Sequence, residues 1–248
     1  AAAVKPGGER LSRSWAGNVS PLSARRKLDG FSRPAAWPPG THANEYTSGM
    51  KTIEYFYSTH SGFAYLGSTH FNAIAEAAGA KVIHRPVDLR VLLDAVGPGP
   101  TGNLTEARHA YFFGVEIQRW SAFRNAPIAL PRPTHHDNSL DLSSGMLIAA
   151  LELGINVDRL THEMLTAHWR DDADVANPDD LRRIAQLADI DPEPLLAEAM
   201  TPAIQDIYRK NTAEAIERTV FGSPTYFVNG EMFYGQDRLD FVERALAD

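Results

Sequence analysis

The sequence predicts an α/β fold in which a βαβ unit and a ββα unit close one mixed sheet, with a large all-helical insertion between them. Three observations predict it. Near the start, the β-branched and aromatic run Thr52 to Tyr57 and the run Lys81 to Leu89 flank a stretch whose apolar residues recur at helical spacing. From about residue 92 to 215 the periodic segments are helical and punctuated by Pro or Gly. At the end, Thr225 to Val228 and Glu231 to Tyr234 are joined by Asn229-Gly230, a strong hairpin dipeptide, and lead into a last helix.

In chain order, Phe63, Leu66, Phe71 and Ile74 place a helix between Ser61 and Gly79, with Ser61 as its N-cap. Strand, helix and strand at this spacing form a βαβ unit with parallel strands. Val91 to Val96 reads as a short helix, stopped by the loop Gly97 to Asn103. A long helix is predicted from Thr105 to Asn125, with Tyr111, Phe112, Val115, Ile117 and Trp120 as its apolar positions. Pro127, Pro131 and Pro133 then break the chain into an irregular segment. Helices follow at about Leu140 to Leu153, Asp158 to His168, Pro178 to Leu187, Pro192 to Met200, and from Thr201 or Pro202 to Val220. Asp237 is the expected N-cap of the terminal helix, which runs to Ala247. The expected domains are a leader (1–49), a sheet-bearing domain (50–91 and 216–248) and a helical insertion (92–215) packed over the sheet edge.

Composition narrows the function classes. Apolar residues make up 44 % and charged residues 22 % of the 248, ordinary values for a soluble globular chain. No run of about 18 apolar residues is present, so no transmembrane helix is predicted. A net charge of −7 argues against nucleic acid as the main partner. The chain has no cysteine, which rules out disulfides and cysteine-ligated metal and fits a cytoplasmic location. Residues 1–49 differ from the rest, with seven Lys or Arg against three acids and no hydrophobic period. Met50 then opens directly onto the first strand. The leader is expected to be mostly disordered, upstream-translated or vector-derived sequence, with a transit peptide as the alternative.

The chemistry centres on Ser61. Free N–H groups and the positive end of the helix dipole meet at this residue and favour an anion. A hydroxyl held there can donate a hydrogen bond to a thiolate. Ser61-Gly62-Phe63-Ala64 occupies the place where a thioredoxin-type fold carries Cys-x-x-Cys, so dithiol chemistry is excluded. A nucleophilic sulfur has to come from a small thiol, glutathione being the obvious one. The alternative is that Ser61 only caps its helix.

Phe56-Tyr57 followed by Ser61-Gly62-Phe63-Ala64-Tyr65-Leu66, then Gln118-Arg119-Trp120, Phe221-Gly222-Ser223-Pro224-Thr225 and Gly235-Gln236-Asp237-Arg238-Leu239, carry a family likeness in their order and spacing. Over about residues 50–248 the chain resembles the kappa-class glutathione transferases and the 2-hydroxychromene-2-carboxylate isomerases, within the DsbA-like thioredoxin superfamily. The resemblance implies a thioredoxin-like fold in which Ser61, with Gly62 and Phe63 beside it, binds the glutathione sulfur. It implies that Ser223 pairs by its backbone with the cysteinyl amide, that Pro224 is cis, and that Gln236 and Asp237 receive the γ-glutamyl group. A glutathione-contacting lysine of the kappa enzymes falls at Arg108 or His109. Two departures stand out. The family's usual proline after the serine is here Gly62. The lysine and arginine that hold the substrate carboxylate in the isomerases fall on Leu93 and Leu104, while Asn103 matches the isomerase asparagine. A homodimer is implied by the likeness only.

Other constellations carry less. His135-His136-Asp137 is assigned to a wall of the acceptor site and not to a metal, because adjacent side chains in a proline-rich loop do not converge on one ion. His162 and His168, six apart, are placed on a helix surface without a shared face. Asp171-Asp172-Ala173-Asp174 is expected to be a solvated turn capping the helix at Pro178, and Trp120, Trp169 and the Phe/Tyr stripe are expected in the core. The expected activity is a glutathione-dependent isomerisation of the 2-hydroxychromene-2-carboxylate type, by thiolate addition and elimination on an unsaturated intermediate of aromatic catabolism. Conjugation of electrophiles by a kappa-class transferase is the alternative. A redox-inactive module holding an extended peptide along the Pro224 edge is a second.

Overall fold

The computed structural model describes residues 50–97, 105–129 and 132–247. The expected leader and the loop 98–104, with Asn103 and Leu104, lie outside the described residues. Four strands form one mixed sheet in the order β2-β1-β3-β4: β1 (Thr52–Tyr57), β2 (Lys81–Pro86), β3 (Thr225–Val228) and β4 (Glu231–Tyr234). β1 runs parallel to β2 and antiparallel to β3, with Thr52 opposite Lys81 and Tyr55 opposite Tyr226. β1 reads as a continuous apolar run because both its faces are covered. On one face Ile53, Tyr55 and Tyr57 join the cluster of helix α1 (Gly62–Ala78) and helix α10 (Leu239–Ala247). On the other, Phe56 and Phe227 meet Leu92 of α2 (Leu89–Val96) and Ala215 of α9 (Pro202–Glu217). Glu54 shares that second face, where Arg218 donates to both of its carboxylate oxygens (2.7 and 2.9 Å) while lying over the Phe227 ring at 3.8 Å.

α1 begins where the strand's apolar run ends. Ser61 caps it, its Oγ accepting from the Ala64 N–H, and Gly79 closes it at φ +61, a conformation that glycine adopts without strain. The helices between the two sheet segments are α3 (Glu106–His109), α4 (Ile117–Arg124), α5 (Asp141–Glu152), α6 (Asp158–Arg170), α7 (Pro178–Leu187) and α8 (Pro192–Ala199), followed by α9. The same apolar cluster that holds Ile53 and Leu66 extends to Leu147, Leu160 and Leu181, so α1, α5, α6 and α7 share one core. α5 and α8 approach closely at Gly145, where a Cβ would overlap the Ala199 carbonyl oxygen. Gln205 bridges the same crossing, donating to the carbonyls of Ala199 (2.7 Å) and Asp141 (3.0 Å).

Several local expectations are corrected. α2 starts at Leu89, two residues early, because the Asp88 carboxylate accepts from the N–H groups of Arg90 and Val91. The helix expected over 105–125 is interrupted by π-helical geometry at Ala110–Glu116. This wider spacing rotates the side chains off the 3.6-residue period. Tyr111 and Val115, expected in the core, are 47 % and 42 % exposed, and Phe123 is exposed too; Ile117 is buried. Asp237 is not an N-cap. Gly235, at φ +99, opens a 3₁₀ turn (Gln236–Arg238) two residues before the expected cap, and the Asp237 carboxylate accepts from Arg238 (2.8 Å). Asn177, not the acidic run, caps α7, accepting from the Asp179 N–H. His168 is fully buried and not on a helix surface, because α6 is packed on by α1 on one side and α7 on the other. Among the described residues no helix is long and apolar enough to cross a membrane.

Candidate active site

The N-terminus of α1 opens onto a cavity of about 910 Å³. The turn after β1 supplies His60, Ser61, Gly62 and Phe63, and the segment before β3 brings Gly222 and Ser223 against them. The two pieces are tied together twice. The Ser61 hydroxyl donates to the Ser223 carbonyl (3.1 Å), and the Ser58 N–H donates to the Ser223 hydroxyl (3.0 Å). The Ser223–Pro224 peptide is cis. Ser61 is 7 % exposed yet borders the cavity, so its side chain lies at the floor of the opening and not in the core. The N–H groups of Gly62 and Phe63 have no protein acceptor among the described residues, as expected for the first turn of a helix. An anion placed there would meet two free donors and the dipole of a 17-residue helix.

The far wall comes from the helical block. His109, Phe113, Ile117 and Gln118 line it from the interrupted helix, Leu93 from α2, and Trp169 from the end of α6. The π-helical stretch brings Phe113 and Gly114 to this wall. Trp169 is anchored by its indole N–H, which donates to the His60 carbonyl (2.9 Å). Its ring fills the space in front of Gly62, where a Cβ would stand 2.8 Å from Cζ2. That contact accounts for the glycine at a position where the resemblance implies proline.

Among the expected site residues, Ser61, Gly62, Phe63, His109, Ser223 and Leu93 all border this one cavity. Of the two candidates for the lysine position, His109 borders it and Arg108 does not. Gln236 and Asp237 are not brought to it. Gln236 is buried against the base of α1, its side-chain oxygen accepting from Arg124 Nε (3.1 Å), and Asp237 is taken by Arg238. Pro224 positions Ser223 without lining the cavity itself.

Sequence reasoning missed one group. His60, His136 and His168 stack beside the cavity, the His60 and His136 rings 4.4 Å apart and nearly parallel (7°). Of the three residues expected on an acceptor-site wall, His136 borders the cavity and His135 and Asp137 do not. Burial, with the neighbouring imidazoles second, lowers His60 to about 4 and His136 to about 3. Burial likewise lowers His168, so all three are neutral near pH 7. The acidic run holds this group in place. Asp172 accepts from the Thr134 N–H (2.6 Å) and hydroxyl (2.7 Å), and Asp174 from Asn138 (2.9 Å). Arg132 donates to both oxygens of Asp137 (2.7 and 2.8 Å). Periodicity could not show this, because the partners are 76 and 32 residues apart in sequence.

The family model for the DSBA-like thioredoxin domain matches residues 52–247. The chain belongs to that family. Within the DsbA-like family it is 28 % identical to a 2-hydroxychromene-2-carboxylate isomerase of Sphingobium xenophagum, over 80 % of this chain and 99 % of the relative. It is 25 % identical to a 2-hydroxychromene-2-carboxylate isomerase of Pseudomonas putida, over 78 % and 93 %. A solved 2-hydroxychromene-2-carboxylate isomerase superposes with a TM-score of 0.62 at 23 % identity, covering 79 % of this chain and 94 % of its own. That likeness supports the shared fold. The sequence has no cysteine, and Ser61 and Ala64 stand in the first turn of α1, where the Cys-x-x-Cys pair is expected from the resemblance.

Proposed function

We propose that the protein is a glutathione-dependent isomerase of the 2-hydroxychromene-2-carboxylate type, acting on an unsaturated product of aromatic breakdown. The observation that carries the reading is the serine at the mouth of α1, beside a cavity of about 910 Å³, in a DsbA-like chain without cysteine. Full-length relatives named 2-hydroxychromene-2-carboxylate isomerase support the isomerase class. The cavity lies at the upper end of the range for small-molecule sites, enough for a tripeptide and a bicyclic acceptor together.

The residues present fit the thiol end of glutathione. Ser61, the free N–H groups of Gly62 and Phe63, and the backbone of Ser223 would hold its cysteinyl part, and His109 borders the same space. When bound, glutathione supplies a nucleophilic thiolate that adds to an electrophilic carbon and leaves again after bond rotation. The Ser61 hydroxyl now donates to the neutral Ser223 carbonyl. A charged acceptor makes a hydrogen bond about twice as strong as a neutral one, so the hydroxyl turns towards an anionic sulfur at small cost. Trp169 and Phe113 line that side with apolar surface. The γ-glutamyl end has no such preformed contact, since Gln236 and Asp237 are engaged elsewhere. Leu93, an apolar wall where the isomerases place a lysine, favours the second reading, conjugation of an uncharged electrophile, if recovery of glutathione is not seen.

Turnover of 2-hydroxychromene-2-carboxylate and of generic electrophiles with millimolar glutathione tests the proposal. Ser61→Ala should lower the rate by about 10- to 100-fold, the equivalent of one or two pKa units of thiolate stabilisation. It should also cost about 1 kcal/mol of stability through the lost cap, which a urea titration separates from catalysis. A parent enzyme that does not bind glutathione at millimolar concentration, or a Ser61→Ala variant of unchanged rate, overturns it.

A further inference from the structure

We infer that the His60–His136–His168 stack is a hydrogen-bond acceptor site for the second substrate, with His136 as the specificity residue and His168 as its positioning residue, selecting an acceptor that carries a hydroxyl. The inference rests on the reading of this cavity as the place of an electrophilic second substrate. It concerns a part of the cavity to which neither the resemblance nor the thiol chemistry assigns a role.

The argument follows the protons. Burial and the neighbouring imidazoles hold all three rings neutral, so each carries one N–H. The Ala173 carbonyl accepts from His168 Nδ1 (3.1 Å), which puts the proton of His168 on that nitrogen and leaves its Nε2 bare. His136 Nδ1 lies 2.9 Å from that bare Nε2, so His136 is the donor, and its own Nε2 is bare. His60 Nδ1 lies 3.3 Å from the His136 carbonyl, which can only accept, so His60 Nε2 is bare as well. Neither bare nitrogen has a protein partner among the described residues, and neither is sealed from solvent. Both residues border the cavity beside Ser61. Two imidazoles thus present acceptors, and no proton, to whatever occupies the space.

The surroundings agree. Arg132, the arginine on this wall, is held by both oxygens of Asp137, and Arg90 approaches the same carboxylate at 3.6 Å. The wall therefore offers two bare acceptors beside an arginine already engaged by a carboxylate; the acceptors suit a phenolic or enolic O–H and have no proton to give a carboxylate. No group of three or more His, Cys, Asp or Glu side chains able to hold a metal ion is found among the described residues. The rigidity of the stack is built from outside by Thr134, Asn138 and Trp169, whose ring stands edge-on to His136 at 5.3 Å.

The test is calorimetric binding, without glutathione, of three matched ligands: 4-hydroxybenzylideneacetone, its 4-methoxy ether and its 4-carboxy analogue. The hydroxy ligand should bind at least about fivefold tighter than the ether and than the carboxylate, as one added hydrogen bond implies. His136→Phe should reduce the preference, His136→Phe combined with His60→Phe should abolish it, and His136→Asn, which keeps an acceptor, should retain most of it. Long-range ¹H–¹⁵N spectra should show the His136 proton on Nδ1 in the parent and a tautomer mixture in His168→Leu. Equal binding of hydroxy and methoxy ligands, preference for the carboxylate, or a preference undiminished by His136→Phe overturns the inference. Because glutathione is absent from this assay, a hydroxyl preference stands even if turnover with glutathione fails, and turnover stands even if the preference is missing.

Discussion

Gly62→Ala offers the sharpest check on the geometry around Ser61. The added Cβ would stand 2.8 Å from Trp169 Cζ2 and 3.1 Å from both Trp169 Cε2 and Ile117 Cδ1. The obstacle is a buried, rigid indole tied to the His60 carbonyl, so it cannot swing aside like a flexible chain end. Forcing a methyl into a packed site costs about 1–3 kcal/mol. Displacing the indole also risks its hydrogen bond, about 1 kcal/mol. Against this, alanine at the first turn of a helix gains about 0.5–1 kcal/mol over glycine. Overpacking wins, and a net loss of about 1–2 kcal/mol is expected. Urea unfolding at constant m-value reads it as a lowered midpoint. Combining the change with Trp169→Phe removes the outer indole atoms and with them the overlap, so the pair should show a coupling of at least about 1 kcal/mol in a double-mutant cycle. A Gly62→Ala protein as stable as the parent, or two substitutions that simply add, refutes the packing argument and with it the explanation for the missing proline.

Three further outcomes follow from the structure. Gly145→Ala should destabilise by about 3 kcal/mol or more, because the new Cβ meets the Ala199 carbonyl and the Gln205 amide that bridges it; a normal thermal midpoint would show that α5 and α8 can part without loss. Glu54→Ala should cost about 3–5 kcal/mol, since it strands Arg218 over Phe227 with only Glu214 left to pair; an effect below about 1 kcal/mol in urea would place the pair among weak surface bridges. Acid should destabilise through the stack. Unfolded His60 takes a proton below about pH 6.5, whereas the folded residue resists until about pH 4. Stability is therefore lost as pH falls through that window, by about 3 kcal/mol from His60, and His136 acts in the same direction. The urea midpoint of His60→Asn should fall less steeply between pH 7 and 4.5 than that of the parent, and parallel slopes would contradict the assignment.

The backbone plan was legible in the sequence because its signals are local. β1 and α1 are separated by one polar turn, Ser61 caps where a capping side chain is needed, and Asn229-Gly230 turns the hairpin. The grouping of Ser61, Gly62, Phe63 and Ser223 at the mouth of α1 followed from these, since the first three are neighbours in sequence and Ser223 precedes a recognisable proline. Reading by a 3.6-residue period failed where the helix widened at Ala110–Glu116, and it left Tyr111 and Val115 outside the core. It failed again at His168, because a buried face on both sides of α6 depends on what packs there and not on spacing.

What the sequence determined by itself was the order of elements, the absence of cysteine and the position of one hydroxyl at a helix mouth. Only the tertiary structure decided what faces that hydroxyl. The imidazole stack, the indole pressed on Gly62 and the diversion of Gln236 to Arg124 join residues 32 to 112 positions apart. Such contacts arise when already formed helices and strands dock, and no local propensity encodes them.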